Sequence, residues 1–230
     1  MLGAVYAEEG NSSEWVNPYL TDGLIAMWDG EWNIGGGVHD TSTTVWKDLV
    51  GDRDVALFRT IIGDTYIYFP KGNSHGYGIA DFPTSYGAVE VVLSKSVYTN
   101  NSSYDSCLIS IGTIYSGYGL CSPRGKVTDT YDSGEGPYIT IQDHELFSIS
   151  INKNGAMTSL IAKNGVVGAQ GVMGKGSRYS YGQQCINGGS GGSSRSSEMY
   201  LHSIRIYSRN LTEDEIVWNY SIDRVRFNLP

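Results

Sequence analysis

Three acidic side chains are the first candidates for chemistry in this sequence: Glu90, Asp143 and Glu145. Retaining glycoside hydrolysis needs two carboxyl groups about 5–5.5 Å apart, and Asp143 and Glu145, two residues apart, could share one face of a strand. That pair flanks a turn at a strand entrance, where carboxylates are ordinarily solvated, and Glu90 stands alone in its apolar run. We therefore expect no catalytic residue and no enzyme, with glycoside hydrolysis as the least favoured alternative.

Other catalytic motifs are missing from the sequence. The histidines show neither His-x-His nor His-Glu-x-x-His spacing, so a zinc site is not expected. No Gly-x-Ser-x-Gly elbow occurs either. A Ser/His/Asp triad is defined by geometry rather than by sequence order, and the sequence leaves that alternative open.

Aromatic and planar polar side chains in the loops are the candidates for binding a sugar. Sugars present apolar C–H faces and hydroxyl edges, which aromatic rings and polar groups complement. Trp32, His39 and Asp40 share the Gly-rich segment DGEWNIGGGVHD, and Tyr118 and Tyr181 lie in SGYG and RYSYG. These five residues are the predicted ligand-binding set, although Trp32 could instead cover an open end of the fold. The other tryptophans are expected in the core or at its margins: Trp15, Trp28, Trp46 and Trp218.

The composition favours an antiparallel β-sandwich. Of 230 residues, 30 are Gly, 17 are Tyr and only 17% are charged; β-branched and aromatic residues suit strands, and Gly, Asn and Asp suit turns. The net charge of −8 argues against a nucleic-acid partner, which would need clustered Lys and Arg. No apolar stretch is long enough for membrane insertion.

Runs of alternating apolar and polar residues recur between turn residues. In LFSISIN the apolar side chains and the Ser/Asn side chains fall on opposite faces of a strand. Asn154-Gly155 and Asn164-Gly165 are typical of type I′ hairpin turns, and they predict a three-stranded meander over 146–153, 156–163 and 166–170. The predicted strands are 23–28, 65–69, 88–93, 107–114, 138–142, 146–152, 158–163 and 199–208.

One helix is predicted near the C-terminal end. Thr212 begins a capping box, and three carboxylates over 213–215 suit the positive end of a helix dipole. Ile216, Tyr220 and Val225 are expected to face the body of the protein.

We expect one domain over residues 21–230, preceded by a polar lead-in segment over 1–20. The Gly/Ser-rich stretch 171–198 is interpreted as a surface loop, because the segment after it is too short to form a second domain. The opening residues MLGAVYAEEG resemble a signal-peptidase site but lack a basic region and an apolar core. The chain is therefore expected to begin at a mature terminus or to leave its cell without a signal.

The three cysteines, Cys107, Cys121 and Cys185, are an odd count without Cys-x-x-Cys spacing. Cys107 and Cys121 could be bridged if their strands are neighbours. The alternative is three small buried apolar side chains.

Four segments, taken in order, resemble the LamG-like modules of bacteria and their phages. IRIYSRNLTEDEIVWNYSIDRVRF (204–227) resembles the family's last inner strand and the helix after it. GLIAMWDGEW (23–32) resembles the first strand, VWKDLVGDRDVAL (45–57) the following loop, and LFSISINKNGAMTSLIAKNGVVGA (146–169) the meander. The loop departs from the family's pattern at Val55, where a Gly is usual.

The resemblance spans about residues 20–227 and implies a concanavalin A-like jelly roll of the lectin/glucanase superfamily. It also implies that a calcium ion could be held at the rim of the fold. Asp52 and Asp54 carry the oxygen ligands that this hard cation prefers, and the alternative is that they form Asx turns. No cofactor is expected to be required.

The function implied by the resemblance is a non-catalytic binding or adhesion module outside the cell. Its partner would be a glycan or cell-surface polysaccharide. The alternative is a purely structural phage protein, a capsid or tail decoration or a fibre, on the virion surface with other virion proteins as partners. A homo-oligomer is compatible with both.

Overall fold

The computed structural model describes residues 15–33, 37–38, 42–71, 75–78, 87–96, 107–111, 118–121, 126–128, 138–153, 158–172, 185–187 and 198–230. The strands in this part of the chain are β1 (Leu24–Asp29), β2 (Trp32–Asn33), β3 (Gly37–Val38), β4 (Val45–Trp46), β5 (Val55–Phe58), β6 (Ile61–Ile62), β7 (Ile67–Phe69), β8 (His75–Gly78), β9 (Ala88–Lys95), β10 (Cys107–Ile111), β11 (Tyr118–Cys121), β12 (Lys126–Thr128), β13 (Tyr138–Thr140), β14 (Leu146–Lys153), β15 (Thr158–Lys163), β16 (Val166–Val172), β17 (Cys185–Ile186) and β18 (Met199–Tyr207). Helix α1 (Glu213–Phe227) comes after them.

The strands form two large antiparallel sheets. Sheet A has the order β16-β15-β14-β9-β18-β7-β6, with β1 also paired to β18. Sheet B has the order β13-β12-β11-β10-β17-β8-β5-β4, and β2 pairs with β3 separately. β18 pairs with two strands on the same side. Its first residues pair with β7, and its second half pairs with β1. The end of β1 therefore lies close to the residues that precede β7.

The main core lies between the two sheets. Sheet A contributes Trp28, Val91 and Ile149, and sheet B contributes Trp46 and Val55, all without exposed surface. Each such side chain stabilises the fold by about 1.5–3 kcal/mol relative to an exposed one. The predicted fold class, an antiparallel β-sandwich with one C-terminal helix, is confirmed, as is the core position of Trp28 and Trp46.

The predicted meander is present as β14, β15 and β16, which are neighbours in that order. Asn164 and Gly165, which join the last two strands, have φ angles of 50° and 71°. Positive φ at both central residues is what a type I′ turn requires. The other predicted turn, Asn154-Gly155, lies outside the described residues.

The strands that carry Cys107 and Cys121 are neighbours. β10 pairs with β11, and Cys107 is the Cα partner of Cys121. The backbone therefore places the two residues on adjacent strands, as a bridge between them would require, while Cys185 lies on β17.

Helix α1 begins at the predicted capping box. The Thr212 hydroxyl accepts a hydrogen bond from the Glu215 N–H, and the Glu215 carboxylate accepts one from the Thr212 N–H at 2.8 Å. Both bonds satisfy N–H groups that the first helical turn leaves without partners. The helix ends at Asn228, whose left-handed conformation lets its N–H bond to the carbonyl of Arg224.

Two expectations for α1 were wrong: Val225 does not face the body of the protein and is 63% exposed, and Trp218 is not in the core and is 39% exposed. Ile216 is buried, as expected. At about 100° per residue, nine residues bring Val225 half a turn around the helix from Ile216, so the two cannot face the same layer.

The outer face of sheet A is covered in part by α1 and by residues 15–20. Tyr19 and Ile216 pack with Tyr207 in one cluster, and Phe227 packs on Val92 in another. The covered part of this face is therefore a second buried layer beside the main core.

A membrane-crossing helix is not found in the described part of the chain.

Candidate functional site

The predicted loop set is only partly within the described residues. Trp32 is half-buried in β2, and its backbone N–H donates a hydrogen bond to the carboxylate of Asp29 at 3.2 Å. Tyr118 begins β11. His39, Asp40 and Tyr181 lie outside the described residues, so the five predicted ligand-binding residues stay a prediction as a set.

The loop between β4 and β5 is organised by Asp48. Its carboxylate accepts hydrogen bonds from the N–H groups of Met27, Val50 and Arg53 at 3.0 to 3.2 Å. Asp54 is bound to the Lys47 ammonium at 2.5 Å. These contacts show local capping by aspartate carboxylates, as an Asx-type loop requires.

The calcium site at Asp52 and Asp54 remains a prediction. Asp52 is exposed, and Asp54 is engaged by Lys47 and by the Asp48 N–H. Within the described residues, no group of three or more His, Cys, Asp or Glu side chains is placed to hold a metal ion. Backbone carbonyls would have to supply most ligands of such a site.

A buried charge cluster of Glu90, Arg205 and Asp223 joins sheet A to α1. The Arg205 guanidinium donates to the Glu90 carboxylate at 3.0 Å and to both Asp223 oxygens at 2.8 and 2.6 Å. Asn219 donates to Glu90 at 2.7 Å, and the Tyr19 hydroxyl donates to Asp223 at 2.8 Å. Arg205 and Asp223 have no exposed surface, so this cluster is sealed from solvent.

The single guanidinium of Arg205 is paired with both carboxylates of this cluster. Burial raises the pKa of Glu90, although the guanidinium of Arg205 opposes that effect. Burial alone would lower the pKa of Arg205, but the carboxylates of Asp223 and Glu90 hold that pKa above its ordinary value. A buried charge is tolerated only when it is paired and hydrogen-bonded in this way.

Two of the three carboxylates considered for catalysis, Glu90 and Glu145, are held in structural contacts. Glu90 is 2% exposed beneath α1, where no sugar can reach it. Glu145 is bound to Lys163 at 2.6 Å and accepts a hydrogen bond from the Gln142 N–H. Asp143 lies on the exposed turn beside them.

Beyond α1, the outer face of sheet A carries three tyrosines in contact: Tyr66, Tyr68 and Tyr200, which we call the tyrosine face. The rings of Tyr68 and Tyr200 stack with centroids 4.5 Å apart at 25°, and Tyr66 meets Tyr200 edge-on at 5.2 Å and 81°. All three side chains are half-buried. Ile61, the cross-strand partner of Tyr68, adds a 57% exposed apolar side chain beside them.

Strand pairing brings these rings together. Tyr68 on β7 is the Cα partner of Tyr200 on β18, so their side chains rise from the same face. Tyr66 just precedes β7, and its ring lies over Gly63, where a β carbon would overlap the ring. Glycine at position 63 therefore leaves the space in which Tyr66 reaches its partners.

A carboxylate lies at one side of the tyrosine face. The Tyr68 hydroxyl donates to the Glu198 carboxylate at 3.0 Å. Partial burial, and then this hydrogen bond, raises the pKa of Tyr68 to about 12, so the hydroxyl keeps its proton at neutral pH. Within the described residues, the other Glu198 carboxylate oxygen and the Tyr66 hydroxyl make no hydrogen bond.

His202 lies behind the tyrosine face. Its ring contacts Tyr66 at 5.7 Å and Phe227 at 5.2 Å, which connects the face to α1. Burial lowers the pKa of His202 to about 4, and the ring is therefore neutral at pH 7. Its Nδ1 has no hydrogen-bond partner within the described residues.

Sequence reasoning missed this site. The alternation in TYIYF places Tyr66 and Tyr68 on one face of a strand, and MYLHSIRIYS places Tyr200 on the polar face of another. That signal marks exposed aromatic residues on two strands. It does not say that the two strands pair.

Comparison of the sequence with models of protein families gives no match, and curated protein sequences give none either. The LamG-like resemblance is therefore not established by sequence. What the chain shares with proteins of known structure is its shape.

Solved β-sandwich structures match over most of this chain. The receptor binding domain of botulinum neurotoxin D gives a TM-score of 0.64 at 13% identity, over 89% of this chain and 54% of that chain. Trypanosoma rangeli sialidase gives 0.63 at 14% identity, over 88% and 33%; its complex with sialic acid gives 0.62 at 13%, over 87% and 33%. The chain thus spans between about a third and about half of the length of these structures. At such low identities the similarity shows the β-sandwich fold.

Proposed function

We propose that this protein is a non-catalytic carbohydrate-binding module of the LamG-like kind, acting in adhesion or recognition outside the cell. One observation carries the proposal: the ring of Tyr200 contacts those of both Tyr66 and Tyr68 on the outer face of sheet A, beside the Glu198 carboxylate. Aromatic surfaces bind the apolar C–H faces of sugars, and convergent polar groups bind their hydroxyls.

The placement of the acidic residues supports binding rather than hydrolysis. Two carboxyl groups must flank a glycosidic bond for hydrolysis to occur. Glu90 is buried under α1, Glu145 is paired with Lys163, and Glu198 is bonded to Tyr68. A sugar on the tyrosine face would meet Glu198 as a hydrogen-bond acceptor.

The predicted loop residues form a second proposed contact region. Trp32, with His39 and Asp40, would extend the binding surface at the rim, and a calcium ion at Asp52 and Asp54 would stabilise the neighbouring loop. Single variants separate the two regions, because Trp32 lies on β2 and the tyrosine face lies on sheet A.

The proposal is tested with a broad glycan array followed by calorimetric titration of the retained glycan. Tyr200→Ala removes the ring that touches both other tyrosines, and we expect affinity to fall about tenfold or more. Phe58→Ala is the matched control, because Phe58 is an exposed aromatic residue on sheet B. A folded protein that retains no glycan contradicts the proposal, and a loss with Trp32→Ala alone moves the site to the rim.

A structural virion component is the second candidate function, and one observation favours it. Val217, Trp218 and Val225, which we call the apolar stripe, are exposed apolar side chains on the side of α1 opposite its buried face. Self-association that is concentration-dependent in analytical ultracentrifugation, and lost in Trp218→Ser, would support this candidate. A monomer at every concentration would count against assembly through this stripe with copies of itself.

A further inference from the structure

We infer that the tyrosine face selects uncharged saccharides and discriminates against acidic ones such as sialylated or uronic-acid glycans. This inference rests on the proposed function, and it concerns the charge of the ligand. It depends on the groups that surround the three rings and on the pairing of the nearby cations.

A carboxylate borders the tyrosine face. Glu198 is bonded to the Tyr68 hydroxyl, a neutral donor, and forms no ion pair within the described residues. Asp64 is exposed in the turn before Tyr66, at the opposite end of the tyrosine face from Glu198. A carboxylated sugar would bring a second negative charge close to Glu198 on a partly desolvated surface, where like charges repel more strongly than in water.

Two arginines of the described residues near the face are already paired with carboxylates. Arg226, next to Phe227 behind the face, binds Asp29 at 2.8 Å and Glu31 at 3.3 Å. Arg205, on the same strand as Tyr200, is sealed in the buried charge cluster. A bidentate arginine is the usual partner for a ligand carboxylate, and neither of these guanidinium groups is available for that role.

The same carboxylate suits a neutral sugar. The oxygen of Glu198 that is not bonded to Tyr68 can accept a hydrogen bond from a sugar hydroxyl, and charge-assisted bonds of this kind are stronger than neutral ones. The Tyr66 hydroxyl can donate to a second ring or hydroxyl oxygen. The aromatic rings would hold the C–H face of the pyranose between these two polar contacts.

The inference is tested by titrating the protein with matched pairs of oligosaccharides: neutral galactose-, glucose- and mannose-terminated probes, and the same probes capped with sialic acid or glucuronic acid. We expect the acidic member of a bound pair to bind at least tenfold more weakly. The ratio of the dissociation constants of the acidic and neutral probes should fall to about threefold or less in Glu198→Gln, which is an isosteric change.

The outcomes separate the two proposals. Acidic probes that bind as tightly as their neutral counterparts overturn the charge selection and leave carbohydrate binding in place. A ratio that Glu198→Gln does not change, in a protein with unaltered thermal unfolding, also overturns the inference. Failure of all probes to bind overturns carbohydrate binding itself.

Discussion

Arg205 and Asp223 form a fully buried, bidentate ion pair that connects β18 to α1, with both guanidinium nitrogens within 2.8 Å of the carboxylate. The pair fixes where the helix lies on sheet A. It thereby divides the outer face of the sheet into a half covered by α1 and a half that carries the tyrosine face.

Replacing Asp223 with Asn should destabilise the protein by about 3 kcal/mol, because the variant breaks the buried bidentate ion pair and leaves Glu90 as the one carboxylate bound to Arg205 in the buried charge cluster. Urea unfolding followed by circular dichroism measures this change. Asp22→Asn is the matched control, since Asp22 pairs with Arg209 at the surface with a side chain that is 79% exposed, and exposed pairs contribute little. Equal effects of the two substitutions would contradict a structural role for the buried pair.

The free energy of unfolding should decrease as the pH is lowered from about 6.5 to about 4, because of His202. Burial lowers the pKa of His202 to about 4, so over this range the unfolded chain binds a proton that the folded protein does not. Stability therefore rises with pH in that window, by up to about 3 kcal/mol for this group, and is unaffected by it above the window.

The slope of unfolding free energy against pH measures the effect of His202. It should be flatter in His202→Gln than in the unmodified protein. A slope that survives in His202→Gln would assign the pH dependence to other groups.

Gly63→Ala should weaken carbohydrate binding several-fold while changing stability by less than about 1 kcal/mol. The added β carbon overlaps the Tyr66 ring rather than the backbone, so the ring can move aside at a small cost in stability, and in doing so it leaves Tyr200. Gly168→Ala, at the other edge of sheet A, is the control. Unchanged binding in Gly63→Ala would exclude Tyr66 from the site.

Glu215→Ala should cost about 1 kcal/mol, because it removes half of the capping box and the bidentate contact with Arg209. The hydrogen bonds from Arg209 are the main cause that lowers the pKa of Glu215 to about 2. This stabilisation is present above about pH 4.5 and is lost as the pH falls toward 2.

The difference in unfolding free energy between Glu215→Ala and the unmodified protein should therefore shrink in acid. Glu213→Ala, in the same helical turn but exposed, should show a smaller cost. A cost that is the same at pH 3 and pH 7 would show that the ionised carboxylate of Glu215 is not responsible.

Local features could be predicted from the sequence because they depend on residues close together in the chain. The alternation in LFSISIN, the Asn164-Gly165 turn and the Thr212 capping box each involve a few neighbouring residues, and the structure contains all three. The class of fold can be inferred from such local signals. The orientation of α1 cannot, and Val225 was accordingly assigned to the wrong face.

Pairing between distant strands was decided by the tertiary structure. Tyr68 meets Tyr200, and Glu90 meets Arg205 across 115 residues of sequence. A period of two tells which face of a strand a side chain occupies, but the neighbour across that face depends on how all strands pack around one shared core. Composition and alternation therefore determined the sandwich, and long-range packing determined which tyrosines and charges came together on it.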